Sequence, residues 1–310
     1  MAYSLKHINE LAKNDPKAFV EGTEAEFQRK LELAAKRIAG NRDKSHIILL
    51  SGPSGSGKTT TAMKIEKLLD ESGVETHTIS MDNYFNTIDP ETAPRNREGA
   101  IDYESPFCLD IDLLNRHFAM LDRGETIHIP KYEFARQMRS DILSQPLRLG
   151  KDELAIFEGI HALNDVIIGK NPQAFKLYIA ARSNVVDEDG TVVFYHHWLR
   201  LCRRIVRDYK FRGSDAAFTL KLWPNVRRGE KLYISPYKEN ADLKFDSSLA
   251  TEVCVMKPYV VPLLQELPRG RYPDADAILA AYDRIEALDE SLIPADSLIR
   301  EFIGGGSFSY

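Results

Sequence analysis

One stretch constrains this chain more than any other. Gly52-Pro53-Ser54-Gly55-Ser56-Gly57-Lys58-Thr59 satisfies the pattern G-x-x-x-x-G-K-[ST]. Ordinary composition produces that pattern in a chain of this length roughly once in a hundred. The context is also right. The apolar run 46–51 reads as a buried strand before the pattern, and 58–72 reads as a helix after it, closed by Gly73. The glycines let the backbone turn tightly, so that several N–H groups converge on one anion. The helix starting near Lys58 aims the positive end of its dipole at the same point. Lys58 brings a full charge to the β- and γ-phosphates of a nucleotide, and the Thr59 hydroxyl suits Mg²⁺. Gly52, Ser54, Gly55, Ser56, Gly57 and Thr60 complete the expected cradle. The loop alone does not separate kinases from ATPases, GTPases or regulatory switches.

Four further strands are predicted, at 76–81, 154–157, 175–180 and 243–245. Their alternation with helical stretches predicts an α/β fold, a parallel sheet flanked by helices. The N-terminal extension, 1–43, reads as helical. Thr23 and Glu26 form a capping-box pattern, Phe27, Leu31, Ala34 and Ile38 recur at helical spacing, and Gly40 can end the helix. The nucleotide domain is expected over 44–250, with an arginine-bearing lid at about 186–230 and a long polar connection at 86–99. A C-terminal extension over 251–310 shows helical patterns broken by Pro258, Pro262, Pro268 and Pro273, and ends in a loose tail, GGGSFSY.

Composition narrows the partners. The 310 residues carry a formal net charge of −5, which argues against a generic nucleic-acid or membrane-surface binder. No run approaches the length of a membrane span, and no apolar signal core follows the polar residues Lys6, His7, Asn9 and Glu10. Cys108, Cys202 and Cys254 show no paired spacing and read as free thiols. A cytoplasmic protein is expected, and homo-oligomerisation is left open.

Two carboxylates fall where chemistry needs them. Asp82 follows the second strand and Glu158 ends the third, and strand ends of such a sheet face the ligand crevice. Asp82 is placed to receive the proton of an acceptor hydroxyl, and Glu158 to meet Mg²⁺ near Thr59. Across 198–212, Trp198, Cys202, Ile205 and Tyr209 make an apolar stripe, while Arg200, Arg203, Arg204, Arg207 and Arg212 fall on the other faces. Such arginines, closing over a transferring phosphoryl group, would neutralise the charge of the transition state. Gly213 reads as a hinge or a helix stop.

The ordered set GPSGSGKT at Gly52, MDNYF at Met81, IDYESPF at Ile101, IPKYEF at Ile129, IFEGIHAL at Ile156 and RRIVRDYKFRG at Arg203 resembles the uridine kinase and phosphoribulokinase group of P-loop kinases. The ends, VRRGEKLYISPYKENADLKFDSSL and SLIREFIGG, are similar to a bacterial subgroup of uridine-kinase-like proteins. Members of that subgroup often carry further N-terminal domains related to threonyl-tRNA synthetase, and this chain is expected to be the kinase part alone. The resemblance implies ATP- and Mg²⁺-dependent phosphorylation of a nucleoside 5′-hydroxyl, uridine or cytidine first, in pyrimidine salvage. It implies that Asp82 contacts the acceptor hydroxyl, that Glu158 is associated with the metal, and that Asp102 holds the ribose hydroxyls. It places Tyr84 and Tyr132 beside the substrate and Arg204, Arg207 and Arg212 in the phosphate clamp. Two positions depart from the pattern. Gln137 stands where uridine kinases have a histidine against the base, and Leu222, followed by Trp223-Pro224, stands where they have a glutamine. Both fall on base recognition and not on phosphate chemistry. His161 is a further candidate substrate contact, and Trp223 either stacks on a base or packs inside. Two alternatives therefore stay open: a kinase for another nucleoside, small hydroxyl compound or sugar phosphate, and a non-catalytic nucleotide-sensing module.

Overall fold

The computed structural model describes residues 2–133, 136–142 and 146–308. Five parallel strands make the central sheet: β1 (Ile47–Ser51), β2 (Thr76–Ser80), β3 (Leu154–Glu158), β4 (Phe175–Ala180) and β5 (Leu243–Asp246). Their order is β5-β4-β1-β3-β2. β1 is buried along its whole length, and its side chains alternate between two apolar layers. Ile48 and Leu50 join Phe27, Leu31 and Ile65 on one face, and Ile47 and Leu49 join Phe118 and Phe157 on the other. That two-sided burial is why the strand reads as a continuous apolar run. The chain steps from β1 to β2, returns to β3 beside β1, then crosses to β4 on the far side. The C-terminal end of β1 is therefore a switch point, where a parallel sheet opens a crevice for ligands.

The principal helices are α1 (Leu5–Asn14), α2 (Pro16–Ala39), α3 (Lys58–Glu71), α4 (Ile111–Asp122), α5 (His196–Phe211), α6 (Ala216–Gly229), α7 (Glu252–Gln265) and α8 (Pro273–Tyr282). Phe27, Leu31, Ala34 and Ile38 are all buried, as their spacing in α2 requires. The start of α2 differs from the capping-box expectation. Asp15 is the N-cap and accepts from the Ala18 N–H at 3.1 Å, with Pro16 in the first turn, while Thr23 lies buried within the helix. An Asp-Pro start satisfies an orphan N–H and pre-sets the backbone, so it outcompetes the capping site at Thr23. The N-terminal extension is also not wholly helical. Ala2–Ser4 pairs in parallel with Asn184–Val186, which pairs with Val192–Phe194.

Of the four prolines expected to break the C-terminal extension, Pro268 follows the end of α7 and Pro273 opens α8, but the other two do not break it. Pro258 and Pro262 lie inside α7. Pro258 cannot donate to the Cys254 carbonyl, but the Leu288 N–H does so at 3.2 Å, so the orphaned acceptor is satisfied from another segment. The GGGSFSY tail is likewise tied down as far as it is described, with the Ser307 N–H on the Ala295 carbonyl at 2.8 Å. Ser309 and Tyr310 lie outside the described residues, as does Phe134 of the IPKYEF motif.

The stripe read on α5 is also different. Tyr209 is exposed, whereas Arg200 and Arg203 are among the most deeply buried side chains. Arg203 is fully enclosed against Glu252 of α7, with Nη2 on Oε2 at 2.6 Å and Nε on Oε1. A buried guanidinium is tolerated only when paired and fully hydrogen-bonded. The ion pair therefore locks α5 to the C-terminal extension. The three cysteines are free and buried, and among the described residues no helix is long and apolar enough to cross a membrane.

Glu252→Ala should thus leave an uncompensated charge in the core. We expect a loss of about 3–5 kcal/mol in urea unfolding. A loss no larger than that of an exposed Glu→Ala control would show that the pair does not hold these helices together.

Candidate active site

The loop between β1 and α3 has little room for substitution. A Cβ at Gly52 would lie 1.9 Å from the Ile179 carbonyl oxygen, so only glycine lets the loop pass β4. Gly57 has φ +77, and a Cβ there would sit 2.6 Å from the Leu298 side chain. The carbonyls of the loop are satisfied from behind. Arg200 Nε donates to Ser54 O at 3.0 Å, Arg203 Nη1 to Gly55 O at 3.1 Å, and Ser247 Oγ to Ser56 O at 2.6 Å. Arg204 Nη1 donates to Ser54 Oγ. With its carbonyls held from outside, the loop can present N–H groups and the open first turn of α3 to an anion.

In front of the loop lies a cavity of about 630 Å³. Thr59, Asp82, Glu158, Arg207, Arg212 and Glu301 are among its walls. Glu158 ends β3, is buried, and accepts from Thr59 Oγ1 at 3.2 Å. Burial pushes its carboxyl up to about 7, against the pull of Lys58, while the neighbouring Asp82 raises it further. Asp82 sits on the turn Met81–Tyr84, where its N–H is capped by Ser80 Oγ at 3.3 Å. Burial raises its carboxyl as well, opposed by Lys58, Arg212 and Arg207. Burial lowers Lys58, opposed by Glu158, Asp82 and Glu301. The Thr59 hydroxyl and the Glu158 and Asp82 carboxylates are hard oxygen donors of the kind Mg²⁺ takes, so this corner fits that ion.

The arginines divide into two sets. Arg200, Arg203 and Arg204 brace the loop. Arg207 and Arg212 face the cavity and gather on Asp208, with Arg207 Nη2 at 2.8 Å from Oδ1 and Arg212 Nε at 3.7 Å. Arg204 Nη2 also approaches Asp208, at 3.8 Å. Asp208 was visible in the sequence only as the acidic residue among the arginines. It holds their guanidinium groups together at the edge of the chamber.

Other predicted contacts lie apart from this cavity. Asp102 is buried and already engaged: Arg228 Nη2 donates to Oδ1 at 2.6 Å, Arg228 Nη1 to Oδ2 at 3.2 Å, and Tyr233 Oη to Oδ2 at 2.8 Å. Burial alone would raise its carboxyl, but the bonds from Arg228 and Tyr233 outweigh that and hold it below the usual range. His161 is buried edge-on to the Tyr233 ring at 6.3 Å, and burial lowers it to about 4, so the ring is neutral near pH 7. Tyr84 does not face a ligand. Its ring is fully buried and its hydroxyl is 2.8 Å from His117 Nδ1, because the turn that exposes Asp82 directs Tyr84 into the core. Tyr132 is half-buried, with its ring 5.6 Å from that of Phe85. Gln137 is exposed, with φ +51, in the turn that follows Tyr132–Glu133. Trp223 packs inside, under the Arg200 guanidinium at 5.6 Å, and Leu222 is exposed. A second cavity of about 690 Å³ adjoins Asp102 and Tyr233, and Arg95, Arg97, Arg227, Arg228 and Lys231 line it. The motifs VRRGEKLYISPYKENADLKFDSSL and SLIREFIGG contain Arg227, Arg228, Lys231 and Glu301, but nothing local showed where those side chains meet, since their partners are far apart in the chain.

The model of the family described as "Phosphoribulokinase / Uridine kinase family" matches residues 47–253. The uridine kinase of Staphylococcus aureus (strain JH9) is 30% identical over 210 residues, which is 67% of this chain and 91% of that protein. The solved "Structure of a Possible Uridine Kinase from Bacillus stearothermophilus" aligns with a TM-score of 0.46 at 17% identity, covering 71% of this chain and 100% of that one. The D-glycerate 3-kinase from Cryptococcus neoformans aligns with a TM-score of 0.46 at 13% identity, covering 66% and 88%.

The raised Glu158 has a consequence for stability. Its ordinary value is 4.5 and its folded value about 7. Its contribution to stability is therefore complete below pH 4.5 and lost as pH rises through about 7. In ligand-free protein the urea midpoint should fall between about pH 5 and about pH 8, and Glu158→Gln should flatten that fall. Parallel curves for the two proteins would contradict it.

Proposed function

Because the chain belongs to the phosphoribulokinase / uridine kinase family, whose members are kinases acting on alcohol acceptors, we propose that it uses ATP and Mg²⁺ to phosphorylate the 5′-hydroxyl of a nucleoside. Uridine and cytidine are the first candidates, in a cytoplasmic salvage reaction that yields the monophosphate. The observation that carries this reading is the single cavity in which Thr59, Asp82, Glu158, Arg207 and Arg212 meet beside the phosphate loop.

In this mechanism the loop N–H groups and Lys58 hold the β- and γ-phosphates. Bound Mg²⁺ would neutralise charge on those phosphates, and Thr59, Glu158 and Asp82 are the residues that would hold it. Asp82 orients the acceptor hydroxyl and receives its proton as the new O–P bond forms and the bond to the β–γ bridging oxygen breaks. Its raised carboxyl makes it a better proton acceptor than an exposed aspartate. Arg207 and Arg212 lie across the cavity to meet the charge of the transferring group. The half-buried aromatic pair Phe85 and Tyr132, with rings tilted by 50°, offers an apolar ring face for a base.

Asp82→Asn should lower kcat by roughly 10²–10⁴-fold with little change in KM for ATP. Near-normal turnover of the true acceptor by this variant would remove Asp82 from the chemistry.

A second reading is favoured by the cavity at Asp102. Five basic residues and two acidic ones, Glu98 and Asp102, line it in a chain that is acidic overall. Such a lining suits an acceptor that carries its own anionic group, as a sugar phosphate does. Under this reading Arg97→Gln with Lys231→Gln raises KM for a phosphorylated acceptor roughly ten-fold and leaves a neutral nucleoside unaffected. An acceptor panel in which uridine or cytidine is turned over efficiently and every phosphorylated sugar is inert would eliminate it.

A further inference from the structure

The family match ends at residue 253, yet the chamber does not. Its remaining wall is a strap from the C-terminal part of the chain. Lys64 Nζ holds the start of the strap through Asp296 O at 2.6 Å and Oδ2 at 2.9 Å, and Ser297 Oγ donates to Glu24 Oε1 at 2.5 Å. Leu298 is buried against Gly57 of the phosphate loop. Phe302 is buried with the Arg203 guanidinium 5.0 Å from its ring, and Lys210 Nζ caps the Ile303 carbonyl at 2.6 Å. Between these anchors the short helix Arg300–Ile303 carries Glu301 to the cavity, where its Oε2 accepts from the Thr60 hydroxyl. Glu301 is near enough for its charge to act on both Lys58 and Glu158.

The chamber thus presents three carboxylates, Asp82, Glu158 and Glu301, to the place where a triphosphate would lie. Of the arginines that line the same cavity, Arg207 and Arg212 already share Asp208, and Arg300 donates to the carbonyls of Glu290, Ile293 and Gly304. A bare polyanion entering this space is repelled by whatever charge these carboxylates carry, whereas a divalent cation carried with it reverses the sign there. An ordinary phosphate cradle does not need a third acidic group, and the chain devotes a separately anchored segment to supplying one.

We propose that Glu301 is a positioning residue that makes nucleotide binding conditional on the metal, so that the strap selects Mg·ATP over metal-free ATP. The inference rests on the reading that ATP occupies this chamber, but not on which acceptor follows it. Through Thr60, Glu301 also fixes the first turn of α3.

The test is calorimetric binding of ATP to the full chain, with excess Mg²⁺ and with EDTA, for the wild type, Glu301→Gln and Glu301→Ala. The glutamine keeps an acceptor for Thr60 and removes only the charge. The wild type should bind far more tightly with Mg²⁺. Glu301→Gln should shrink that ratio about ten-fold, chiefly by tightening metal-free ATP, as expected for one unit charge a few ångströms away in a partly buried cleft. An unchanged ratio, or equal weakening with and without metal, would overturn the proposal, since the latter is what a purely structural role produces. Glu301→Ala should show the same shrunken ratio even if its stability falls. A wild type that binds Mg·ATP with this preference but phosphorylates no acceptor would defeat the proposed function and leave the role of Glu301 standing.

Discussion

The structure depends on how the carbonyl groups of one loop are satisfied. A phosphate cradle needs its N–H groups turned to the ligand, which turns its carbonyls the other way. Here guanidinium groups from α5 meet them: Arg200 on Ser54 O and Arg203 on Gly55 O. Burying two such cations is costly unless each has a carboxylate. Glu230 accepts from Arg200 at 3.0 Å, and Glu252 closes on Arg203. The loop, α5, the turn after α6 and the first residue of α7 are therefore one electrostatic unit. A substitution at Glu252 disturbs the cradle although that residue faces no ligand.

The chamber itself is tuned by burial. Desolvation pushes Lys58 toward its neutral form and Asp82 and Glu158 toward theirs, while mutual attraction between Lys58 and the carboxylates opposes both shifts. A site in this condition is unfavourably solvated for a charged ligand-free state and gains most when opposite charges arrive together. Under the proposed function, nucleotide phosphates would answer Lys58 and a divalent cation would answer the acids.

What could be read from the sequence follows the range of the interactions. The loop, the strand before it and the helix after it are local patterns, so their chemistry shows in adjacent residues. Asp82 and Glu158 were visible because strand ends in a parallel sheet point one way. Tyr84 was misleading, since a single turn separates a residue that faces the cavity from one that faces the core. The α5 arginines were misleading in another way. Arginine in an amphipathic helix usually marks solvent, and nothing nearby in the sequence revealed that Glu252 lies 49 positions away to bury Arg203. Thr60 and Glu301 meet across 241 positions, and Arg228 and Asp102 across 126. Contacts of that range are set by topology and leave no periodicity to detect.

The end of α6 shows why donor and acceptor geometry are not separable here. Arg227 and Arg228 are neighbours in sequence but serve different partners. Arg227 donates to Glu230 Oε2 at 2.8 Å, the same oxygen that takes Arg200, and Arg200 continues to the Ser54 carbonyl of the phosphate loop. Arg228 turns to Asp102 at the basic cavity. A movement of Arg228 or Tyr233 away from Asp102 acts on a helix end whose adjacent residue braces the phosphate loop through three hydrogen-bonded steps. Because those steps are charge-assisted and largely buried, they resist stretching more than ordinary surface contacts do. The basic cavity and the shape of the phosphate loop thus share one short stretch of backbone, from Arg227 to Glu230.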